Sequence, residues 1–269
     1  GTNIGIMDYQ KLCEQVNELS RNVGARIQLE RKNFDPNNIE IKGLHNYVTH
    51  IDKLSEELLV KGLSEFLPEA GFIAEEGTST KIGERFNWII DPIDGTTNFI
   101  HGIPIYAISI ALKEYDKIVI GMVLEVTSKE QFYAWKDSKA YLNGNKIAVS
   151  KQNDEHLSLL ATGFPYHDYE EVDEYLDLLK HFMKTTSGLR RLGSAAIDLV
   201  YVACGRIEGF YEYGLNPWDV AGGAFIVQQA GGTVTDWKGG EDYIFGKQIL
   251  ADNSALHKNY LEGIQQYFK

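Results

Sequence analysis

Apolar residues recur at helical spacing from early in the chain. Leu12, Val16, Leu19, Val23 and Ile27 fall on one stripe with polar residues between them, which predicts an amphipathic helix. A second helix is expected from about Thr49 through Ile51, Leu54, Leu58 and Leu63 to Phe66, stopped by Pro68. The rhythm then shortens. GFIAEEG and FNWII read as short strands, each running into carboxylates, and YAISIALK, KIVIGMVLEV and EQFYAW read as further strands. YLNGNKIAVS reads as a hairpin, its Asn143-Gly144 pair suited to a type I′ turn.

The second half alternates. YEEVDEYLDLLKHFMK, SAAIDLVYVACG, NPWDVAGGAFIVQQAGG and SALHKNYLEGIQQYF have helical patterns, while IEGFYEY, TVTD and QILADN read as strands. A half rich in antiparallel strands followed by helix/strand alternation predicts a mixed α+β fold in layers. No repeat, low-complexity tract or Pro/Gly/Ser linker interrupts the chain. With a boundary near Ser150, two lobes, about 1–149 and 150–269, are expected to pack tightly as a single unit.

Composition removes several function classes. The 269 residues are 43% hydrophobic and 24% charged, ordinary values for a globular protein. No apolar run approaches the roughly 20 residues that span a bilayer, so no membrane role is expected. The first ten residues have neither a basic stretch nor an apolar core, and no signal peptide is expected. Cys13 and Cys204 are the only cysteines and are far apart, which fits a cytoplasmic setting without disulfides. A net charge of -12, with no large Lys/Arg cluster, argues against nucleic acid as a partner. It also means that an anionic substrate would need cations between it and the protein.

The candidate chemistry lies at element ends. IIDPIDGTTNF, Ile89 to Phe99, leaves an apolar strand with two aspartates around a proline and then enters Gly-Thr-Thr. On its own this is an ordinary surface turn set by Pro92. Two further acidic spots change the weighting: Glu75-Glu76 after GFIA, and Asp219 in NPWDVAGG. Taken alone, Glu75-Glu76 is a solvated strand end and Asp219 a helix-start carboxylate. Asn216 can cap that helix and Pro217 suits its first turn, so the dipole is expected to favour ionised Asp219. Together these carboxylates are hard oxygen ligands with no nearby His or Cys, a donor set suited to Mg²⁺. Ile93 offers a carbonyl as a further ligand. The amides of Gly95, Thr96 and Thr97 are placed to hold a phosphate where a short helix starts.

These stretches carry a resemblance. WIIDPIDGTTNFIHGIP and WDVAGGAFIVQQAGG resemble the two signature segments of the inositol monophosphatase family, which belongs with the Mg²⁺-dependent, lithium-sensitive phosphatases. FIAEEG, VTHID, LNGNKIAVS and LGSAAIDLVYVACG match weaker family blocks in order, so the likeness runs from about Tyr9 to the C-terminus. It implies a layered α-β-α-β-α sandwich, a homodimer, and two or three Mg²⁺ ions per active site. One ion falls to Glu75, Asp91 and the Ile93 carbonyl, and a second to Asp91, Asp94 and Asp219. A third, weaker one falls to Glu75 and water. Thr96 with Asp52, assisted by Glu75, would orient and deprotonate the attacking water. The backbone of Gly95 and Thr96 would hold phosphate, and Asp94, Ala195, Glu212 and Asp219 would line the substrate side.

The activity implied is hydrolysis of a small polyol phosphate, inositol monophosphate first, by direct attack of a metal-activated water. Relatives that act on NADP(H), fructose 1,6-bisphosphate or 3′-phosphoadenosine 5′-phosphate are alternatives, and dual specificity is compatible with the motifs. A role as a transcription antitermination partner with residual phosphatase activity ranks below these. Asn46 departs from the aspartate many relatives carry, which puts the third metal in doubt; Lys42 aligns too loosely to join the site. His45 and His50 read as loop residues, Cys204 as a small buried one, and Gly222, Gly223, Gly231 and Gly232 as packing and helix-stop positions. Arg190-Arg191 read as a second-phosphate site, a subunit contact or a solvated pair, and at least one of Tyr211 and Tyr213 as core.

Overall fold

A computed structural model describes residues 7–33, 49–165 and 170–269. Asn46, Lys42 and His45 lie outside them. The amphipathic stripe forms helix α1, Tyr9–Lys32, with Leu12, Val16, Val23 and Ile27 buried. Helix α2 spans Thr49–Phe66, and exposed His50 belongs to its first turn rather than to a loop.

Seven strands follow. They are β1 (Gly71–Ala74), β2 (Phe86–Asp94), β3 (Ala107–Glu114), β4 (Lys117–Glu125), β5 (Glu130–Trp135), β6 (Ala140–Leu142) and β7 (Asn145–Ile147), with the short helix α3 (Thr96–His101) between β2 and β3. They form one sheet in chain order. β1 and β2 are parallel and every later neighbour is antiparallel. Asn143 and Gly144 both have positive φ, 48° and 85°, as a type I′ turn requires.

The turn expected at Pro92 is not there. β2 continues through Asp94, pairing Asp91 with Ser109 and Asp94 with Ala107, so three steps on β2 match two on β3. Pro92 has no N–H to offer the ladder, and a bulge is where a strand tolerates that loss.

The second sheet contains β8 (Leu159–Thr162), β9 (Gly188–Arg190), β10 (Gly209–Tyr213), β11 (Thr233–Thr235) and β12 (Gln248–Asp252), in the order β11-β12-β10-β8-β9. Helices α4 (Val172–Thr185), α5 (Ala195–Ala203), α6 (Pro217–Gln229) and α7 (His257–Tyr267), with a single 3₁₀ turn at Glu155–Leu157, complete the described elements. β8 and β9 go beyond what the residue pattern predicts. Both are short, and β8 is almost wholly buried, so it lacks the alternation that marks a half-exposed strand.

Three large apolar cores separate the layers, beside a small cluster of Ile89, Ala111 and Ala221. Val16, Leu59, Trp88 and Ile110 fill the space between α1, α2 and the larger sheet. Val123, Phe132, Leu199, Val220 and Phe210 join that sheet, through α5 and α6, to the smaller one. Leu160, Tyr211, Leu250, Phe182 and Tyr260 seal the smaller sheet against α4 and α7. The result is the α-β-α-β-α order, and Tyr211 and Tyr213 are both core residues. The central α6 comes unusually close to the sheet. A Cβ on Gly121 would lie 2.6 Å from the Gly222 carbonyl oxygen, and one on Gly222 would lie 2.9 Å from Ser109 Oγ. Only glycines permit this approach, and it draws the N-terminus of α6 towards the end of β2.

Candidate active site

Strand pairing brings the first two carboxylates together. Ala74 of β1 is opposite Ile90 of β2 in parallel register, so the next residues, Glu75 and Asp91, emerge side by side at one sheet end. Side chains alternate along β2, which puts Asp91 on the face of Ile89, the face that packs against Ala221 of α6. Asp219 sits in the first turn of α6, where its Oδ2 accepts from the Asn216 N–H at 2.8 Å. The β2 bulge turns Asp94 into the same space. Asp91, Asp94 and Asp219 each offer a carboxylate oxygen within 4.8 Å of the others.

Asp94 is held firmly. Its Oδ2 accepts from Ser194 Oγ at 2.5 Å and from the Ala196 N–H at 2.8 Å. Ile93 is buried between the two aspartates, and its N–H donates to Asp91 Oδ1 at 3.2 Å. Gly95 then adopts φ 93°, and Thr96 opens α3 half-buried. A Cβ at Gly95 would meet the carbonyl oxygens of Ile105 at 2.9 Å and Gly193 at 3.3 Å, so both conformation and space require glycine there.

The remaining expected residues surround this centre. Asp52 lies on α2, and its Oδ1 is buried with no hydrogen-bond partner among the described residues. The pairing with Thr96 that the resemblance implies is therefore not made through that atom. Glu212 projects from β10 so that a Cβ on Gly163 would collide with its carboxylate. Ala195 is buried at the start of α5. Arg191 lies 5.1 Å from the centroid of the Phe164 ring, and its charge opposes the upward shifts at Glu212 and Asp198. Cys204 is half-buried at the end of α5.

Three residues escape the reading of motifs. Glu56, one turn beyond Asp52 on α2, is completely buried and accepts from the N–H groups of Glu76 at 2.9 Å and Thr78 at 3.0 Å. It anchors the loop that carries Glu75. A carboxylate in line with Leu59 and Leu63 was the available signal. Ser194 caps α5 while holding Asp94. Asp198 is buried one turn further along, its Oδ1 without a partner among the described residues.

Electrostatically the centre is overloaded with negative charge. Burial, then Asp94, Glu75 and Asp219, pushes Asp91 far above the usual carboxylate range. Asp94 is raised by burial against the opposing bonds from Ser194 and Ala196. Burial and the Asp94 charge lift Asp219 to about 8, so desolvation overrides the helix-start preference for its ionised form. Asp52 is pushed up to about 8 by burial, then Glu76, Glu75 and Glu56. Glu75 is an exposed residue, yet desolvation of its carboxyl, then the charges of Glu76, Asp94 and Glu56, brings it to about 7. Burial raises Glu212 well above its ordinary value, with Asp219 and Asp94 adding repulsion. Such a constellation is relieved by a cation, which removes the repulsion and restores the ionised forms. Converging oxygens, no soft donor beside them among the described residues and a buried Asp52 oxygen without a described partner all fit a hard divalent ion.

The comparisons agree with this chemistry. A model described as the inositol monophosphatase family matches residues 8–269. A Pseudomonas aeruginosa protein named Nus factor SuhB is 37% identical over 253 residues, covering 92% of this chain and 93% of its own. An inositol-1-monophosphatase of Mesorhizobium japonicum is 35% identical over 229 residues, 85% and 86% of the two chains. The solved structure of inositol monophosphatase from Anabaena (Nostoc) superposes with a TM-score of 0.86 at 32% identity, covering 97% of this chain and 98% of that one. With the fold, the carboxylate centre and matches along nearly the whole length in agreement, the chain belongs to the inositol monophosphatase family of phosphomonoesterases.

Proposed function

We propose that this enzyme hydrolyses a small polyol phosphate, inositol monophosphate first, in a magnesium-dependent reaction. The observation that carries this reading is the convergence of Asp91, Asp94 and Asp219 within 4.8 Å, beside a backbone turn at Gly95 that admits no side chain. Glu75, Asp91 and the Ile93 carbonyl would hold one ion and Asp91, Asp94 and Asp219 a second, with a weaker third at Glu75. Magnesium bound there supplies positive charge to the phosphate and lowers the pKa of water.

The chain's own residues do the positioning. The amides of Gly95 and Thr96 hold phosphate oxygens. Thr96 and Asp52, with Glu75, orient the attacking water and take its proton; the unpartnered Asp52 Oδ1 is free for that hydrogen bond. Asp94, Ala195, Glu212 and Asp219 bind the hydroxyls of the alcohol. Water attacks phosphorus directly, and no phosphoenzyme forms. The whole chain works as one catalytic unit, as a cytoplasmic homodimer inhibited by lithium. Among the described residues, no helix is long and apolar enough to cross a membrane.

A panel of phosphate esters tests the substrate. With Mg²⁺, inositol monophosphate is expected to give the highest kcat/KM, ahead of NADP(H), fructose 1,6-bisphosphate and 3′-phosphoadenosine 5′-phosphate. Faster release from any of the latter moves the assignment to that ester, and release from none refutes phosphatase action. The name of the Pseudomonas aeruginosa relative favours a second reading, a Nus-factor role beside catalysis. Co-purification of RNA polymerase components with the tagged protein is its test, and their absence counts against it.

A further inference from the structure

Ser194 makes two bonds that fix the direction of its single hydroxyl hydrogen. Its Oγ accepts from the Ile197 N–H at 3.3 Å, so the hydrogen is free to point the other way, at Asp94 Oδ2, 2.5 Å distant. That oxygen also accepts from the Ala196 N–H at 2.8 Å. A carboxylate oxygen has two lone pairs, and both on Oδ2 are thereby engaged by the start of α5. Ser194 is 2% exposed, so water does not compete for the hydroxyl.

We infer that Ser194 is a positioning residue for the cation site: it ties down Asp94 Oδ2 and leaves Oδ1 as the oxygen presented to the ion. This rests on the reading of Asp94 as a cation ligand. A ligand carboxylate held in one orientation loses less freedom when the ion arrives, and outer-sphere hydrogen bonds of this kind are typically worth about 10- to 100-fold in metal affinity. The same residue starts the helix whose first turn carries Ala195, proposed to meet the alcohol. Cation binding and alcohol recognition are therefore mounted on one helix end, through one side chain.

The plain alternative is that Ser194 only caps α5, and the choice of variant separates the two. Glycine is a tolerated N-cap, far better than alanine, yet it has no hydroxyl for Asp94. The full-length protein, stripped of metal, is titrated calorimetrically with Mn²⁺ as wild type, S194G, S194T and D94N. S194G is expected to bind Mn²⁺ on the order of tenfold more weakly, while its metal-free melting temperature changes little. S194T, which keeps the hydroxyl, is expected to bind like wild type. At saturating metal S194G recovers most of its turnover, so the defect lies in the metal requirement rather than in kcat. Wild-type affinity in S194G, with D94N weakened, overturns the inference. Wild-type binding in D94N instead refutes Asp94 as a ligand. Should S194G not fold, S194A replaces it, with its larger loss of helix capping read from the metal-free melting temperature and its loss of the Asp94 bond read from Mn²⁺ affinity.

Discussion

Gly95→Ala tests whether the backbone beside the carboxylates is as constrained as the geometry requires. The new Cβ meets two penalties. At φ 93° an L-residue pays about 1–2 kcal/mol for left-handed backbone. The Cβ also lies 2.9 Å from the Ile105 carbonyl oxygen and 3.3 Å from both the Gly193 carbonyl oxygen and Ser194 Cβ. Two of these neighbours are backbone atoms, which cannot swing aside, and overpacking of this sort costs roughly 1–3 kcal/mol. Loss of unfolded-state freedom on replacing glycine offsets about 0.4–1 kcal/mol, leaving a net loss of about 1–5 kcal/mol. For a chain of this size that lowers the melting temperature by roughly 2–9 °C. Relief of the clash pushes the Gly95 and Thr96 amides out of place, and kcat/KM falls on the order of 10²-fold. Gly144→Ala is the internal control. It too has positive φ, 85°, but nothing lies within 4 Å of its Cβ, so only backbone strain applies, about 1 kcal/mol, and activity is retained. Differential scanning calorimetry and phosphate release measure both. Equal destabilisation of the two variants, with G95A fully active, refutes the close-packing argument.

Other expected outcomes follow from the same geometry. Activity is abolished by excess EDTA and restored by Mg²⁺; turnover persisting in EDTA refutes metal dependence. Asp219→Asn lowers kcat about 10²-fold or more on every ester, whereas Glu212→Gln impairs inositol monophosphate but spares p-nitrophenyl phosphate, which has no hydroxyls. Equal losses on both substrates for Glu212→Gln refute that division. Without metal, Asp52 and Asp219, held at about 8, and Glu75, at about 7, keep protons that the unfolded chain releases near pH ~4. Their contribution to stability is thus fully present below about pH 4 and lost as pH rises towards 8. In EDTA the melting temperature is expected to fall between about pH 5 and 8, with Mg²⁺ flattening the slope; a metal-free rise refutes the assignment. Glu56→Gln leaves one loop N–H facing an amide donor and costs roughly 1.5–3 kcal/mol; an unchanged melting temperature removes Glu56 as the anchor.

Much of this was legible because long periodic segments and turn chemistry are local signals. The α1 stripe, the Asn143-Gly144 turn and the Asn216-Pro217 helix start each depend on a few neighbouring residues. What was illegible is mostly pairing. Nothing in GFIA or FNWII says that the two strands run parallel, yet that pairing sets Glu75 beside Asp91. The turn at Pro92 was a sound local reading, defeated because β3 offers a partner on both sides of a bulge. Glu56 was passed over because a helix carboxylate is usually solvated. Its role appears only when the loop after β1 folds over it.

Folding assembles this centre against its own electrostatics. Asp219 shows the conflict most directly: its helix start favours a negative charge, and its capping bond to Asn216 is formed, yet its proton is held up to about 8. A few tenths to about 1 kcal/mol from a helix dipole cannot match burial next to other carboxylates, where each unit of pKa shift is about 1.4 kcal/mol. The assembly must therefore be imposed by structure that does not depend on the charges. Parallel β1 and β2, the Gly121–Gly222 contact that draws in α6, Glu56 under the Glu75 loop and Ser194 behind Asp94 each supply one constraint. None of them binds phosphate. A scaffold that enforces repulsion in the absence of cations binds those cations more tightly, because the ions remove a penalty already present in the folded state. At Asp219 local preference yields to tertiary constraint, the kind of conflict that functional sites carry.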